Sequence, residues 1–148
     1  MKKLITLLVF STIFLGISNT AFAQKDDHGN ALNLFVNFGD NTSIKAHYEI
    51  GLTQDITISP VVHMTFGDHS NFSAGARADY YFDRLLKLHD HWDIWAGAEA
   101  LIHFEGDDDF SMNGHIGAEY LFNDTWGLIC EVGFGNLTSG SIGVGIHL

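Results

Sequence analysis

The chain reads as an all-β protein, an eight-stranded antiparallel up-and-down transmembrane β-barrel. Three observations carry that reading. From Ala31 to Leu148, apolar and polar side chains alternate in eight segments of about ten residues, the length and period of a tilted membrane strand. Aromatic residues of the apolar set gather at segment ends. The N-terminus has the form of an export signal.

That N-terminus runs from Met1-Lys2-Lys3 through the apolar stretch Leu4 to Ile17 and on to Ala21-Phe22-Ala23. It has the charged, apolar and small-residue regions of a secretory signal peptide, so residues 1–23 read as that signal and residues 24–148 as one barrel domain starting at Gln24. The apolar run is too short for a permanent membrane helix. No Cys follows the cleavage site, so a lipoprotein anchor is not indicated. Without Lys2 and Lys3, five cations face 18 carboxylates, a formal charge of −13 that excludes nucleic acid as a partner. Sixteen Gly against one Pro suit turns and close backbone approach.

Each segment has two faces. Segment 31–38 puts Leu32, Leu34, Val36 and Phe38 on the apolar face with Phe35 opposite. Segment 43–52 alternates Ile44, Ala46, Tyr48 and Ile50 with Lys45, His47, Glu49 and Gly51. In 56–66 the apolar set is Ile56, Ile58, Val62, Met64 and Phe66, and His63 faces the other way. Segment 72–82 sets Phe72, Ala74, Ala76, Ala78, Tyr80 and Phe82 against Gly75, Arg77, Asp79 and Tyr81. Segment 92–104 sets Trp92, Ile94, Ala96, Ala98, Ala100, Ile102 and Phe104 against Trp95, Gly97, Glu99 and His103. In 111–122, Met112, Ile116, Ala118, Tyr120 and Phe122 oppose His115, Gly117, Glu119 and Leu121. Segment 125–135 carries Trp126, Leu128, Cys130, Val132 and Phe134 opposite Gly127, Ile129, Glu131 and Gly133. The last, 139–148, carries Ile142, Val144, Ile146 and Leu148 opposite Gly143 and His147. Cys130 has no internal disulfide partner and reads as a small lipid-facing hydrophobe.

Alternation alone does not say which face points inward, because a soluble barrel with an apolar lumen has the same pattern. The polar face mixes Gly and Ser with few long side chains, which suits a crowded interior better than a water-facing exterior. With alternate strands drawn up and down from a periplasmic N-terminus, Tyr80, Phe82, Trp92, Tyr120, Phe122 and Trp126 fall at one rim. Phe38, Phe66, Phe72, Phe104 and Phe134 fall at the other. Two such girdles mark the boundaries of a hydrocarbon layer. The polar face is therefore expected inside.

The final residues Ser141-Ile142-Gly143-Val144-Gly145-Ile146-His147-Leu148 resemble the C-terminal assembly signal of Gram-negative outer-membrane barrels, departing from it at Leu148, where that family usually ends in an aromatic. The stretches Tyr80 to Leu88 and Trp92 to Gly97 are also similar to small outer-membrane β-barrel-domain proteins of the porin-like superfamily. The resemblance implies outer-membrane location, lipid and lipopolysaccharide as surroundings, and assembly machinery that engages the last strand. A monomer is expected.

Eight strands enclose a lumen just wide enough for side chains, whereas open channels come with roughly 16 or more. Lys45 and Arg77 are expected to pair with some of Glu49, Asp79, Glu99, Glu119 and Glu131; two cations against five carboxylates leave a deficit of three. Protonated histidines, raised carboxylate pKa values, trapped water or a bound cation would meet it. A hydrogen-bonded plug is favoured over an ion path. His47, His63, His103 and His115 also point inward, but without a dedicated ligand spacing they read as polar filler, and neither metal nor cofactor is expected.

The outer loops are short, and acidic Glu105-Gly106-Asp107-Asp108-Asp109 lacks regular Ca²⁺-ligand spacing. The long turn Asp83 to His91 is expected to form a short helix whose Leu85, Leu86 and Leu88 pack on the barrel mouth, with docking to a periplasmic partner as the alternative. His69-Ser70-Asn71 superficially resembles a lipid A deacylase site, but adjacent side chains on an extended segment point apart. The functional expectation is a non-enzymatic structural protein of the envelope, the alternative a narrow channel for ions or very small solutes. A lipid A-modifying enzyme and a soluble lipid-binding barrel rank below both.

Overall fold

A computed structural model describes residues 30–39, 42–66, 71–104, 110–135 and 139–148. The signal-peptide segment, His69-Ser70 and the acidic loop lie outside the described residues. The strands are β1 (Asn30–Gly39), β2 (Thr42–Gly51), β3 (Ile56–Phe66), β4 (Asn71–Tyr81), β5 (Trp92–His103), β6 (Phe110–Leu121), β7 (Trp126–Gly135) and β8 (Ser139–His147). They form a closed barrel in chain order, every pair antiparallel. The seam is β1 on β8, from Ala31↔His147 to Gly39↔Ser139.

Period-two alternation accounts for this outcome directly. Along β7 Ile129 is sealed, while Val132 on the opposite parity is 62 % exposed. Every charged side chain of the described strands shares the inward parity, and the outward parity is apolar from Leu34 on β1 to Val144 on β8. A contiguous apolar exterior of this extent calls for hydrocarbon rather than water, and closure leaves no strand edge unpaired within it.

Local chemistry sets the exceptions. Pro60, the chain's one proline, lacks a backbone N–H, and the β2–β3 ladder runs from Thr42↔Phe66 to His47↔Val61, lapses beside it, and resumes in the same register at Ile50↔Ile58. Between β6 and β7 the Asn123 side-chain carbonyl accepts the N–H of Thr125 and of Trp126, each at 2.9 Å, which closes the turn. Gly135 ends β7 at φ +125°, a conformation only glycine adopts readily. After β4, a single helical turn, α1 (Asp83–Leu86), ends at Lys87 in the left-handed conformation, φ 52°.

Two expectations are corrected. The segment expected over 111–122 starts one residue earlier, with Phe110 opening β6 where a loop running from Glu105 through Phe110 was expected, and its exposed ring joins the apolar exterior. The helix after Phe82 does form, but none of its residues is buried: Leu85 and Leu86 are exposed, not packed on the barrel mouth. The turn is tied instead to β5 and to the β2–β3 turn, through Asp83 and Arg84.

Candidate functional site

The buried polar side chains of the described strands line the lumen, and glycine shapes it. At Gly117 a Cβ would come within 2.4 Å of the Trp95 indole; at Gly143, within 2.7 Å of the Phe35 ring. Gly127 and Gly145 leave the space taken by the Glu119 carboxylate, with hypothetical Cβ approaches of 1.9 and 2.2 Å. Large and charged groups thus lie against a wall from which side chains have been removed. On the outward face the Phe134 ring covers Gly114 in the same way.

At the centre Glu131 joins the two lumen cations. It accepts from Arg77 Nη2 at 2.8 Å, pairs with Lys45, and has Trp95 Nε1 at 3.3 Å. Arg77 also donates Nε and Nη2 to the two oxygens of Asp79, at 2.6 and 3.0 Å, the bidentate geometry for which a guanidinium is suited. Asp79 meets His115 Nε2 at 2.5 Å. Lys45 and Glu131 are 86 residues apart in sequence, so this cluster ties β2 to β7 across the lumen as well as β4 to both. Lys45 additionally lies 4.5 Å from the centroid of the Phe35 ring.

This cluster pairs two cations with two carboxylates and leaves three of the five carboxylates expected inside, Glu49, Glu99 and Glu119, while Asp93, half-buried on the same inward parity beside Glu119, adds a fourth. Each of the three glutamates faces a histidine. Glu49 accepts from Asn33 Nδ2 and Tyr81 OH at 2.8 Å, with His47 Nε2 at 3.2 Å. Glu119 meets His147 Nε2 at 3.1 Å. Glu99 has Asn113 Nδ2 at 3.5 Å and His63 Nε2 at 3.6 Å, long contacts with room to tighten or take up water. Nearer the upper rim, where β1 runs to its end, His103 is held between Ser73 Oγ at 2.6 Å and Ser111 Oγ at 2.9 Å. Among the described residues no group of three or more His, Cys, Asp and Glu converges as a metal site.

Beside the ionic cluster sits an apolar stopper of Phe35, Tyr81, Trp95 and Ile129, at most 3 % exposed. Tyr81 and Trp95 contact at 5.6 Å and Phe35 stacks on His47 at 5.3 Å. Lys45, Glu49, Arg77, Asp79, Glu99, Glu119, Glu131, His47, His63 and His115 are buried on the inward parity of their strands, and His103 is half-buried. Sequence parity puts Asn33, Tyr81 and Trp95 inside without showing that each donates a hydrogen bond, Asn33 and Tyr81 to Glu49 and Trp95 to Glu131. Their inward parity was visible; their partners across the lumen were not.

The girdle residues lie on the outward face at both rims. Below, toward α1, Tyr80 and Phe82 meet edge to face at 5.0 Å, Trp92 lies 5.0 Å from Tyr120, Tyr120 lies 5.7 Å from Phe122, and Trp126 is exposed. Above, Phe72 and Phe104 meet at 5.6 Å, and Phe38, Phe66 and Phe134 are exposed.

No protein-family profile and no curated protein sequence matches the chain. Among solved structures it is similar to a de novo designed transmembrane β-barrel, with 14 % identity, a TM-score of 0.70, and coverage of 83 % of this chain and 97 % of that one. It is also similar to the N-terminal β-barrel domain of Pseudomonas aeruginosa OprF, at 12 % identity and TM-score 0.61 over 81 % of this chain and 97 % of that one. Neisserial surface protein A gives 14 % identity and TM-score 0.55 over 80 % and 94 %. At such identities the likeness is one of fold: the chain has the closed eight-stranded architecture of small outer-membrane barrels.

Proposed function

We propose that this protein is an integral outer-membrane barrel with a plugged polar lumen and a non-enzymatic, structural role in the envelope. One observation carries the reading: the Lys45–Glu131–Arg77–Asp79–His115 cluster crosses the lumen from wall to wall beside a sealed aromatic stopper. A network of buried, mutually paired charges rigidifies its surroundings, and opening it would leave each ion unpaired. Lipid and lipopolysaccharide surround the apolar exterior, the assembly machinery engages the Ser141 to Leu148 strand, and the barrel acts as a monomer. The signal sequence supports delivery to that membrane.

A second reading, a narrow ion path, draws on buried polar atoms without a protein hydrogen-bond partner: Thr57 Oγ1, Ser59 Oγ, His63 Nε2 and Glu99 Oε2. Such atoms ask for water. Planar-bilayer recording separates the two. The plug predicts no sustained open current; a sizeable current that falls on replacing Arg77 or Glu131 would overturn it.

A further inference from the structure

The turn after β4 carries apolar side chains that the barrel does not use. Leu85 is 69 % exposed and Leu86 55 %, and Leu52 in the neighbouring β2–β3 turn is 56 % exposed. They are not on a loose loop. Asp83 accepts the N–H of Ile94 on β5 at 2.7 Å, and Arg84 donates to Gln54 and Asp55 of the β2–β3 turn. α1 is thus tied on both sides, to β5 and to the β2–β3 turn, and both leucines are left exposed.

Charge placement says what covers them. Among the described residues the chain has four Lys and Arg; Lys45 and Arg77 are sealed inside, and the other two, Arg84 and Lys87, flank the leucines directly. Arg84 keeps 65 % of its side chain exposed despite its pairing with Asp55. The order Arg84-Leu85-Leu86-Lys87 therefore puts both exposed Lys and Arg side chains of the described residues, in a strongly acidic protein, around two exposed turn leucines. Asp90, the turn's remaining exposed acid, stands three residues past Lys87. The segment is also continuous with the lower aromatic girdle, since Phe82, which precedes α1, meets Tyr80 at 5.0 Å, and Trp92 opens β5 beyond it.

We propose that this turn is an interfacial anchor: Leu85 and Leu86 enter the acyl boundary of the adjoining leaflet while Arg84 and Lys87 engage the phosphates of its phospholipids. Aliphatic side chains in the boundary and basic ones at the headgroups are the two contributions that hold a segment on a bilayer surface, and long cationic side chains reach outward while their stems stay apolar. Preorganisation by Asp83 and Arg84 means that little ordering is needed on contact. The proposal rests on the membrane-barrel reading above, and its test keeps the two apart.

The full chain with Cys130→Ser is refolded into phosphatidylcholine vesicles containing phosphatidylglycerol, and heat-modifiable gel migration first establishes the folded barrel. A nitroxide at Leu85→Cys, and separately at Leu86→Cys, is then examined by power saturation with oxygen and with a water-soluble nickel chelate. The expected result is high oxygen access and loss of nickel access, with Lys87→Gln, which leaves the Arg84 bonds to Gln54 and Asp55 in place, raising nickel access. Labels open to the nickel chelate on a folded barrel overturn the anchor and leave the barrel standing. Spin–spin broadening that grows with protein density overturns it in favour of a second copy. A chain that never inserts overturns both.

Discussion

Glycine positions in the lumen are as specific as charged ones, because each is matched to one occupant. Gly117→Ala would push a Cβ into the Trp95 indole, a rigid group already held between Tyr81 and Glu131. Overpacking of this kind costs about 1–3 kcal/mol, readable by denaturant titration in micelles followed by tryptophan emission. Glu131→Gln is the harsher change, since it removes the negative charge that Lys45 and Arg77 share and leaves one amide oxygen where two carboxylate oxygens served two cations. Breaking a buried pair by removing one partner predicts a loss of about 3–5 kcal/mol in the same titration. Side-chain parity in the sequence already placed Glu131, Arg77 and Lys45 on one face. It was silent on which carboxylate met which cation, because that depends on how strand tilt and stagger bring distant strands opposite each other across the lumen.

Strand limits were legible to within about a residue, as alternation is dictated by the pleat itself and needs no tertiary information. Phe110 escaped notice because the acidic run before it looked like loop, and no second apolar residue preceded it to set the phase. The fate of the turn leucines was also beyond the sequence, since it hinges on Asp83 and Arg84 finding partners on two other elements. At Asp83, burial pushes the carboxyl up, with Asp55 adding to the shift and the Ile94 N–H opposing it. A raised native pKa means that the folded turn favours the protonated acid. Its stability is then fully present below the ordinary carboxylate range and declines as pH rises through the native value. Asp83→Asn keeps an oxygen for Ile94 and removes the titration. Amide exchange at Ile94, corrected for the intrinsic rate, is expected to lose its dependence on pH across that window; an unchanged dependence would assign it to another group.

At the scale of the molecule, alternation, girdles and export signal together predicted a closed barrel with its polar face inside, and the described strands form one. Composition was the decisive part of that reading, since period two is blind to inside and outside. If the lumen cluster is structural, the purified barrel should be electrically silent and should run as a compact, heat-modifiable species. Closure has one further consequence. The first strand finds its second neighbour only in the last nine-residue strand, and Leu148 donates to the carbonyl of Asn30 at 2.9 Å, so the two ends of the described chain are hydrogen-bonded to each other. A nascent chain emerging N-terminus first must therefore carry β1 half-paired until everything else has arrived. Until β8 docks, two open edges await any passing strand, and the interval before that final pairing is when the protein is most exposed to aggregation.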